Sequence, residues 1–158
     1  MAVRVIRENN RNEGLVKDSG FVGEIIAGQP LVLATASTVK PYADGSFADI
    51  PLGIAADSTE IPPLAPSSGQ VAGEGFDYTN FARGGKVAVF QDGSELELFD
   101  DGRGAPYEDG DTYVLNRPVF AKENGLVTSV VGGGRQQIGS VVNFAGSPVS
   151  RLRIKFTV

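Results

Sequence analysis

The stretch that decides the fold class is RLRIKFTV, the last eight residues, Arg151–Val158. Apolar residues alternate with charged or polar residues along the whole stretch. Because successive side chains of a β-strand point to opposite faces, this alternation predicts a terminal strand with one buried face and one solvent face. The side chains predicted to be buried are Leu152, Ile154, Phe156 and Val158. The opposite face would carry Arg151, Arg153 and Lys155, a spacing that does not follow a helical stripe.

The composition extends this prediction to the rest of the chain. With 158 residues the chain is long enough for one domain with a substantial core. Its 21 glycines and 9 prolines divide it into short segments, and no clean helical window longer than about ten residues occurs. The sequence therefore predicts an all-β, mainly antiparallel fold, a compact barrel-like or sandwich-like domain with at most one short helix.

The clearest local signal is a hairpin in the middle of the chain. The apolar run Lys86–Phe90 is followed by the turn pair Asp92-Gly93. Acidic and apolar residues then alternate along Glu95–Leu98. Two strand-like runs separated by such a turn are typical of a β-hairpin. We therefore expect these two segments to pair with each other.

A short pattern occurs twice. Gln29–Ala34 is followed by Leu52–Ala56, and Arg117–Ala121 is followed at similar spacing by Ile138–Val142. Each copy reads as a residue before proline, an apolar run, a variable connector, and then apolar-Gly-x-apolar. The recurrence suggests two related β-hairpin units, and the alternative is chance similarity between strands.

The chain divides into an N-terminal arm and a single β domain. Residues 1–20 are polar with few apolar anchors, so we expect an extended arm. We expect residues 1–18 of this arm to be disordered in the free protein and to order on a partner by adding a strand. Residues 21–158 form the β domain. It contains a Pro-rich loop at residues 58–75, longer than is usual inside a compact domain, and an aromatic cluster follows it, formed by Phe76, Tyr78 and Phe81.

The residue types present argue against catalysis. The chain has no Cys and no His, which removes disulfides, thiolate metal sites and the commonest general base. Asp100–Asp111 has the length of a calcium-binding loop, but Gly102 and Gly104 stand where ligands are needed. The run Gly132–Arg135 lacks the Lys-Ser/Thr of a phosphate-binding loop. We expect no enzyme, no catalytic residue, no cofactor and no bound metal.

Charge is distributed unevenly along the chain. Residues 41–112 hold 14 acids and 3 bases, a net charge of −11, whereas residues 113–158 hold 6 bases and one acid, a net charge of +5. Solvated loops and a solvated strand face explain this simply; the sharper interpretation is a basic surface that faces a partner. The candidate contact residues lie in the arm and in the terminal strand. They are Val3, Arg4, Val5, Ile6, Arg7, Arg151, Arg153 and Lys155.

The acidic balance argues against nucleic acid as a partner, and no signal peptide or transmembrane run is recognisable, so we expect a soluble protein made in a cytoplasm with no membrane partner.

The order of segments resembles a known family. A polar arm precedes Gly-x-Pro-apolar strands and an apolar-Gly-x-apolar strand. A mid-chain hairpin near Gly84–Val89, a second strand at Arg117–Val119, the run Ile138–Val141 and a terminal Arg-Leu-Arg-Ile strand follow. Over residues 20–158 this resembles the small capsid decoration, or cement, proteins of tailed bacteriophages.

The resemblance implies a β-rich structural protein, often a homotrimer, located on the exterior of the virion. Such proteins sit at three-fold and quasi-three-fold positions and clamp neighbouring subunits of the major capsid protein. No catalytic residue is implied. Capsid exteriors are commonly acidic in this setting, so the resemblance implies that the arm and the basic terminal strand face the capsid.

Two other functions remain open from the sequence. A receptor- or glycan-binding domain, such as a head fibre, would need an exposed aromatic groove, for which Phe76, Tyr78 and Phe81 are the candidates. A β-rich trimeric nucleotide hydrolase would need a phosphate loop and an aspartate that holds a water molecule.

Overall fold

The structure of this chain is a computed structural model. It describes residues 2–43, 49–56, 86–100, 104–123, 125–143 and 151–158. Within these ranges all regular structure is β-strand and no helix occurs, which confirms the predicted all-β, mainly antiparallel class. The predicted loop at residues 58–75 and the cluster of Phe76, Tyr78 and Phe81 lie outside the described residues.

The strands are short, as the density of Gly and Pro predicts. In chain order they are β1 (Ala2–Arg7), β2 (Arg11–Lys17), β3 (Pro30–Leu33), β4 (Thr38–Pro41), β5 (Gly53–Ala55), β6 (Lys86–Phe90), β7 (Glu95–Phe99), β8 (Pro118–Ala121), β9 (Val127–Thr128), β10 (Gln137–Asn143) and β11 (Arg151–Phe156).

Five of these strands form a closed barrel in the order β2-β4-β3-β5-β6. All neighbours are antiparallel except β2 and β4, whose parallel pairing closes the ring together with the β2–β6 pairing. The interior is filled by aliphatic side chains that are almost fully buried: Leu15, Ile25, Leu31, Val39, Ala55, Val87 and Val89.

The other six strands form an antiparallel sheet in the order β1-β7-β11-β10-β8-β9, which we call the open sheet. Its apolar face packs against barrel side chains, so one buried cluster spans both halves and includes Val32, Tyr42, Ile54 and Phe90 from the barrel side. The Tyr42 hydroxyl also donates to the carbonyl of Gly134, at 2.5 Å.

The terminal strand behaves as its alternation predicts, with one exception. Leu152, Ile154 and Phe156 are fully buried in the core of the open sheet. The prediction for Val158 is wrong, because 52% of its surface is exposed. The strand ends at Phe156 and the last backbone bond runs from the Thr157 amide to the Ile138 carbonyl, so Val158 lies beyond the ladder that would hold its side chain against the core.

The two halves repeat one pairing scheme. In each set of five successive strands, β2–β6 and β7–β11, the first pairs with the fifth, the fifth with the fourth, the fourth with the second, and the second with the third. The register is also shared: Leu31 faces Gly53 in the barrel, and Val119 faces Gly139 in the open sheet. The repeated sequence pattern therefore corresponds to a repeated arrangement of strands.

The loops that enter the second strand of each half match in detail. The amide of Gly28 donates to the carbonyl of Ala55, and the amide of Asn116 donates to the carbonyl of Val141, both at 2.8 Å. Both donors have left-handed backbone angles, with φ of 94° at Gly28 and 62° at Asn116. Glycine and asparagine are the residues that adopt this conformation most readily. The sequence thus meets the same backbone requirement in two ways.

Both glycines of the repeated pattern are required by close approach of the next strand. A Cβ atom at Gly53 would lie 2.2 Å from the carbonyl oxygen of Phe90, and one at Gly139 would lie 2.0 Å from the carbonyl oxygen of Lys155. No side chain fits at either position without moving a strand. The apolar-Gly-x-apolar pattern therefore marks a backbone contact rather than a turn.

The halves differ in how they close. In the barrel, β4 pairs in parallel with β2. In the open sheet, β1 pairs with the corresponding edge of β7. The parallel pairing of β9 is limited to an isolated bridge between its Val127 and Tyr107. The strand β1 thus occupies the place where the second unit would otherwise close.

The predicted hairpin between Lys86–Phe90 and Glu95–Leu98 is wrong. The turn itself forms, with Gly93 at a φ of 87°, but β6 pairs with β2 and β5 in the barrel, whereas β7 pairs with β1 and β11 in the open sheet. The chain crosses between sheets here, and the connector between β1 and β2 runs alongside it: Gln91 donates its amide to the Asn10 carbonyl, and the Asn9 side chain donates to the Asp92 carbonyl. A paired crossover replaces the hairpin.

The predicted N-terminal arm is not confirmed. Residues of this segment form β1 and β2, which pair with β7 and β6 of the same chain, and Leu15 is buried in the barrel. The partners of these strands lie far away in sequence, so local composition does not reveal them.

Candidate partner-binding face

The outer face of the open sheet brings together cations from both ends of the chain. Arg4 in β1 lies opposite Glu97 in β7, and Glu97 lies opposite Arg153 in β11. Residues directly opposite each other in adjacent strands point to the same side of a sheet. These three side chains therefore form one row across three strands, with an acid between two cations.

One neighbouring row repeats this order of cation, acid and cation. Arg7 lies opposite Glu95 after a bulge in β1, and Glu95 lies opposite Lys155. In the remaining row Phe99 lies opposite Arg151. Five of the eight candidate residues, which the sequence places at opposite ends of the chain, therefore share one face. We call this set the basic face: Arg4, Arg7, Arg151, Arg153 and Lys155.

Glu97 is the organising group of this face. It is only 7% exposed, and its two oxygens accept hydrogen bonds from Arg151 at 3.0 Å and Arg153 at 3.2 Å. Burial by itself would raise the pKa of Glu97, but the hydrogen bonds and charges of Arg153 and Arg151 outweigh it and hold that pKa below its ordinary value. Glu97 therefore remains a carboxylate and fixes two of the five cations.

Arg151 and Arg153 are thus partly occupied within the sheet. The guanidinium of Arg151 also stacks over the ring of Phe99, 5.6 Å from its centroid. Arg4, Arg7 and Lys155 are exposed instead, and within the described residues none of these three forms an ion pair. These three side chains are the cations of the basic face that remain available to a partner.

The three apolar candidates lie on β1 and differ in exposure. Val3 packs against the core of the open sheet, whereas Val5 and Ile6 are 38% and 36% exposed. In the part of the chain that the structure describes, β1 pairs with β7 on one side and is the last strand of the sheet on the other. The candidate site therefore combines the basic face with a strand edge.

Sequence reasoning missed the acids and the aromatic ring of β7, which lie between the two basic strands. The alternation Glu95–Phe99 contained the signal, because it places Glu95, Glu97 and Phe99 on one face of a strand. What was missing was the strand order, since β7 was expected to pair with β6.

Two acids elsewhere in the described residues, Asp100 and Asp111, make structural hydrogen bonds. Asp111 accepts hydrogen bonds from the Thr128 hydroxyl and from the Ser129 amide, at 2.9 Å for the amide. Asp100 accepts from the Gly104 amide at 2.9 Å. These two acids bound the segment that has the length of a calcium loop. Within the described residues no group of three or more acids is arranged to hold a metal ion.

The buried tyrosines belong to the same structural layer. Tyr113 donates its hydroxyl to the carbonyls of Glu108 and Val127, both at 3.1 Å, and packs edge-on against Tyr107. Burial, with a further contribution from the charge of Asp111, strongly raises the pKa of Tyr113. The phenol therefore stays neutral and acts as a donor that joins β9 to the preceding loop.

An open groove of about 470 Å³ lies beside the junction of barrel and open sheet. Its described walls are mainly aliphatic, with Leu33, Ile50 and Val158 exposed, and its aromatic contributor, Phe156, is fully buried. Stacking on exposed aromatic rings, which the glycan-binding alternative needs, is therefore not offered by these walls.

Comparison with known proteins adds no relative. No family model matches the chain, and no curated protein sequence matches it. Among the described residues, no helix is long and apolar enough to span a membrane. The functional interpretation therefore rests on the geometry of the basic face and of β1.

Proposed function

We propose that this chain is a structural virion protein that binds the outer surface of a bacteriophage capsid and clamps neighbouring major capsid subunits. The observation that carries the proposal is that Arg4, Arg7 and Lys155 share one face of the open sheet, whose last strand, β1, has no partner on its outer side within the described residues. Cations from both chain ends on one face suit an acidic partner surface, and an open edge suits a partner that supplies a strand. Neither feature requires titratable chemistry.

The basic face and the edge of β1 are expected to contribute differently to binding. An exposed ion pair contributes about 0–1 kcal/mol and is screened by salt, so the basic face sets orientation and association rate. Affinity must come from buried backbone and apolar contacts along β1 and its neighbours. We further propose a homotrimer on the capsid, because a clamp at a three-fold position is repeated by the symmetry of that position.

The test is binding to capsids that lack this protein, prepared from a phage whose genome encodes the chain. We expect saturable binding, with three-fold density on the capsid exterior by cryo-electron microscopy. Multi-angle light scattering of the free and the released protein would show whether the trimer exists before binding. Absence of binding at every salt concentration would refute the proposal.

A charge variant sharpens this test. The variant carries Arg4→Ser, Arg7→Ser and Lys155→Ser, and it leaves Arg151 and Arg153 in place to hold Glu97. We expect slower association and a weaker salt dependence than in the unmodified protein. The control changes Lys40, Lys86 and Arg117, cations on other strands or loops, to Ser and should bind like the unmodified protein. Equal rates for both variants would make the basic face a solvated surface only.

A further inference from the structure

We propose that the partner binds by adding an extended, acidic segment to the outer edge of β1, with carboxylates opposite Arg4 and Arg7. The inference deepens the proposed function, on which it rests for the identity of the partner, because it states the chemistry and conformation of the part of the partner that is bound. The site is the outer edge of β1 together with the two arginines on its solvent side.

In the ranges that the structure describes, the outer edge of β1 is unpaired and is suited to strand addition. Alternate residues of an edge strand direct their N–H and C=O groups away from the sheet, where they can pair with another chain. β1 runs over six residues, Ala2–Arg7, whereas β9 at the opposite end of the sheet has only two. Exposed Val5 and Ile6 add apolar surface that a second strand would cover.

The charge order across the sheet selects the chemistry of the added strand. Along the Arg4 row and the Arg7 row the charges run from cation in β11 to acid in β7 to cation in β1. Opposite charges directly across a strand pair stabilise a sheet, and like charges destabilise it. The next strand in this order carries carboxylates. Acids two or three residues apart would match Arg4 and Arg7, given the bulge between Val5 and Arg7.

The same charges argue against a second copy of this chain at this edge. If two β1 strands paired with each other, the arginines of one strand would face or flank those of its partner. Arginines of the two copies would then be neighbours, with no acid between them. Inside the sheet, by contrast, Glu95 and Glu97 of β7 separate the cations of β1 from those of β11. A homotrimer therefore has to form through another surface.

A peptide assay tests strand addition directly. The probe is a fluorescent ten-residue peptide in which glutamate alternates with valine and threonine, and the matched control has lysine at every glutamate position. We expect the acidic peptide to bind the full-length protein and to shift the amide resonances of β1 in a ¹⁵N–¹H correlation spectrum. The lysine peptide should not bind. Failure of the acidic peptide to shift β1 at millimolar concentration overturns the inference.

N-methylation separates strand pairing from simple charge attraction. Two further acidic peptides carry N-methyl groups on alternate residues, one on the odd and one on the even positions. Strand addition uses the amides of one set only, so we expect one peptide to lose at least tenfold in affinity and the other to retain it. Equal affinities of both methylated peptides would show attraction without pairing and would overturn the inference.

A charge reversal locates the site on the protein. The variant Arg4→Glu with Arg7→Glu should bind the acidic peptide at least tenfold more weakly and should now bind the lysine peptide. The matched control, Lys86→Glu with Arg117→Glu, makes the same change in net charge away from β1 and should leave peptide affinity unchanged. Equal weakening in both variants would show that only net charge matters, against the inference.

The outcomes keep the two proposals apart. If the unmodified protein binds capsids but the Arg4→Glu, Arg7→Glu variant binds them equally well, strand addition at β1 is overturned and capsid decoration stands. If the acidic peptide adds to β1 but capsids are not bound, the edge is a docking site for another acidic protein and the proposed function fails.

Discussion

The barrel and the open sheet are two versions of one five-strand unit. In both, the first and fifth strands pair, and a glycine in the fourth strand lies against a backbone carbonyl. The barrel closes through the parallel pairing of β2 and β4 and has no free edge. In the open sheet β1 takes the corresponding edge of β7. The two units therefore differ at one edge: β1 lies where the second unit would close, and among the described residues no strand pairs with the outer side of β1.

The largest expected effect comes from filling the glycine positions that both halves share. We expect Gly53→Ala and Gly139→Ala each to reduce the free energy of unfolding by about 3 kcal/mol or more, because the new methyl group would overlap the carbonyl of Phe90 or Lys155. Gly133→Ala is the control, since nothing lies within 4 Å of its added Cβ. Urea unfolding measures all three. A loss at only one of Gly53 and Gly139 would break the equivalence of the halves.

The second effect is a difference in amide hydrogen exchange between β1 and β2, two strands that follow each other in the chain. We expect outward amides of β1 to exchange with solvent more than about a hundredfold faster than the amide of Val16, because Val16 in β2 lies between paired residues of β4 and β6, whereas β1 pairs with β7 alone among the described residues. Hydrogen exchange of the free protein measures this difference. If all β1 amides exchange as in an unfolded peptide, the disordered arm is the better description. If all are protected, the edge is covered.

The third effect tests the charge that holds the basic face together. We expect Glu97→Gln to lower the free energy of unfolding at pH 7 by about 2 kcal/mol, because the carboxylate accepts two bonds from arginines. Since the folded-state pKa of Glu97 is depressed, its contribution is fully present above the ordinary glutamate pKa and is lost as pH falls through the lower, folded-state pKa.

The unfolding free energies of the Glu97→Gln variant and the unmodified protein should therefore converge at acid pH. Glu95→Gln is the control for this position, because Glu95 lies on the same face without a carboxylate–arginine bond among the described contacts. We expect it to change stability by less than about 1 kcal/mol. Equal losses at Glu95 and Glu97, or a constant gap from pH 7 to pH 3, would contradict the assigned role of Glu97.

The smallest effect compares the two left-handed loop positions. Asn116→Gly should change stability by less than about 1 kcal/mol, because glycine adopts the same backbone angle freely. Gly28→Asn should cost more, since its Cβ would lie 2.7 Å from the Cβ of Pro106. Thermal unfolding of both variants measures the asymmetry. If Asn116→Gly proves the more damaging, the side chain of Asn116 has a role that its backbone angle does not explain.

The sequence predicted features that depend on residues close together in the chain. It did not predict which strands pair when they are far apart in the chain. The alternation at Leu152–Phe156 and the glycines of the repeated pattern were readable, because burial and close packing leave local marks. The pairing of β6 with β2 was not, since a turn at Asp92-Gly93 looks the same in a hairpin and in a crossover. The basic residues of β1 and β11 could be recognised in the sequence. Their position on one face could not, because it depends on β7, which lies between the two strands.

The pairing of β1 with β7 also has a consequence for the order of events during synthesis. β1 is synthesised before its partner β7, which follows about ninety residues later, and pairing over such separations is slow. Until β7 emerges, both edges of Ala2–Arg7 are open to any extended chain nearby. A nascent chain is therefore open to capture or misassembly through this segment, and a partner present at that stage would compete with β7 itself.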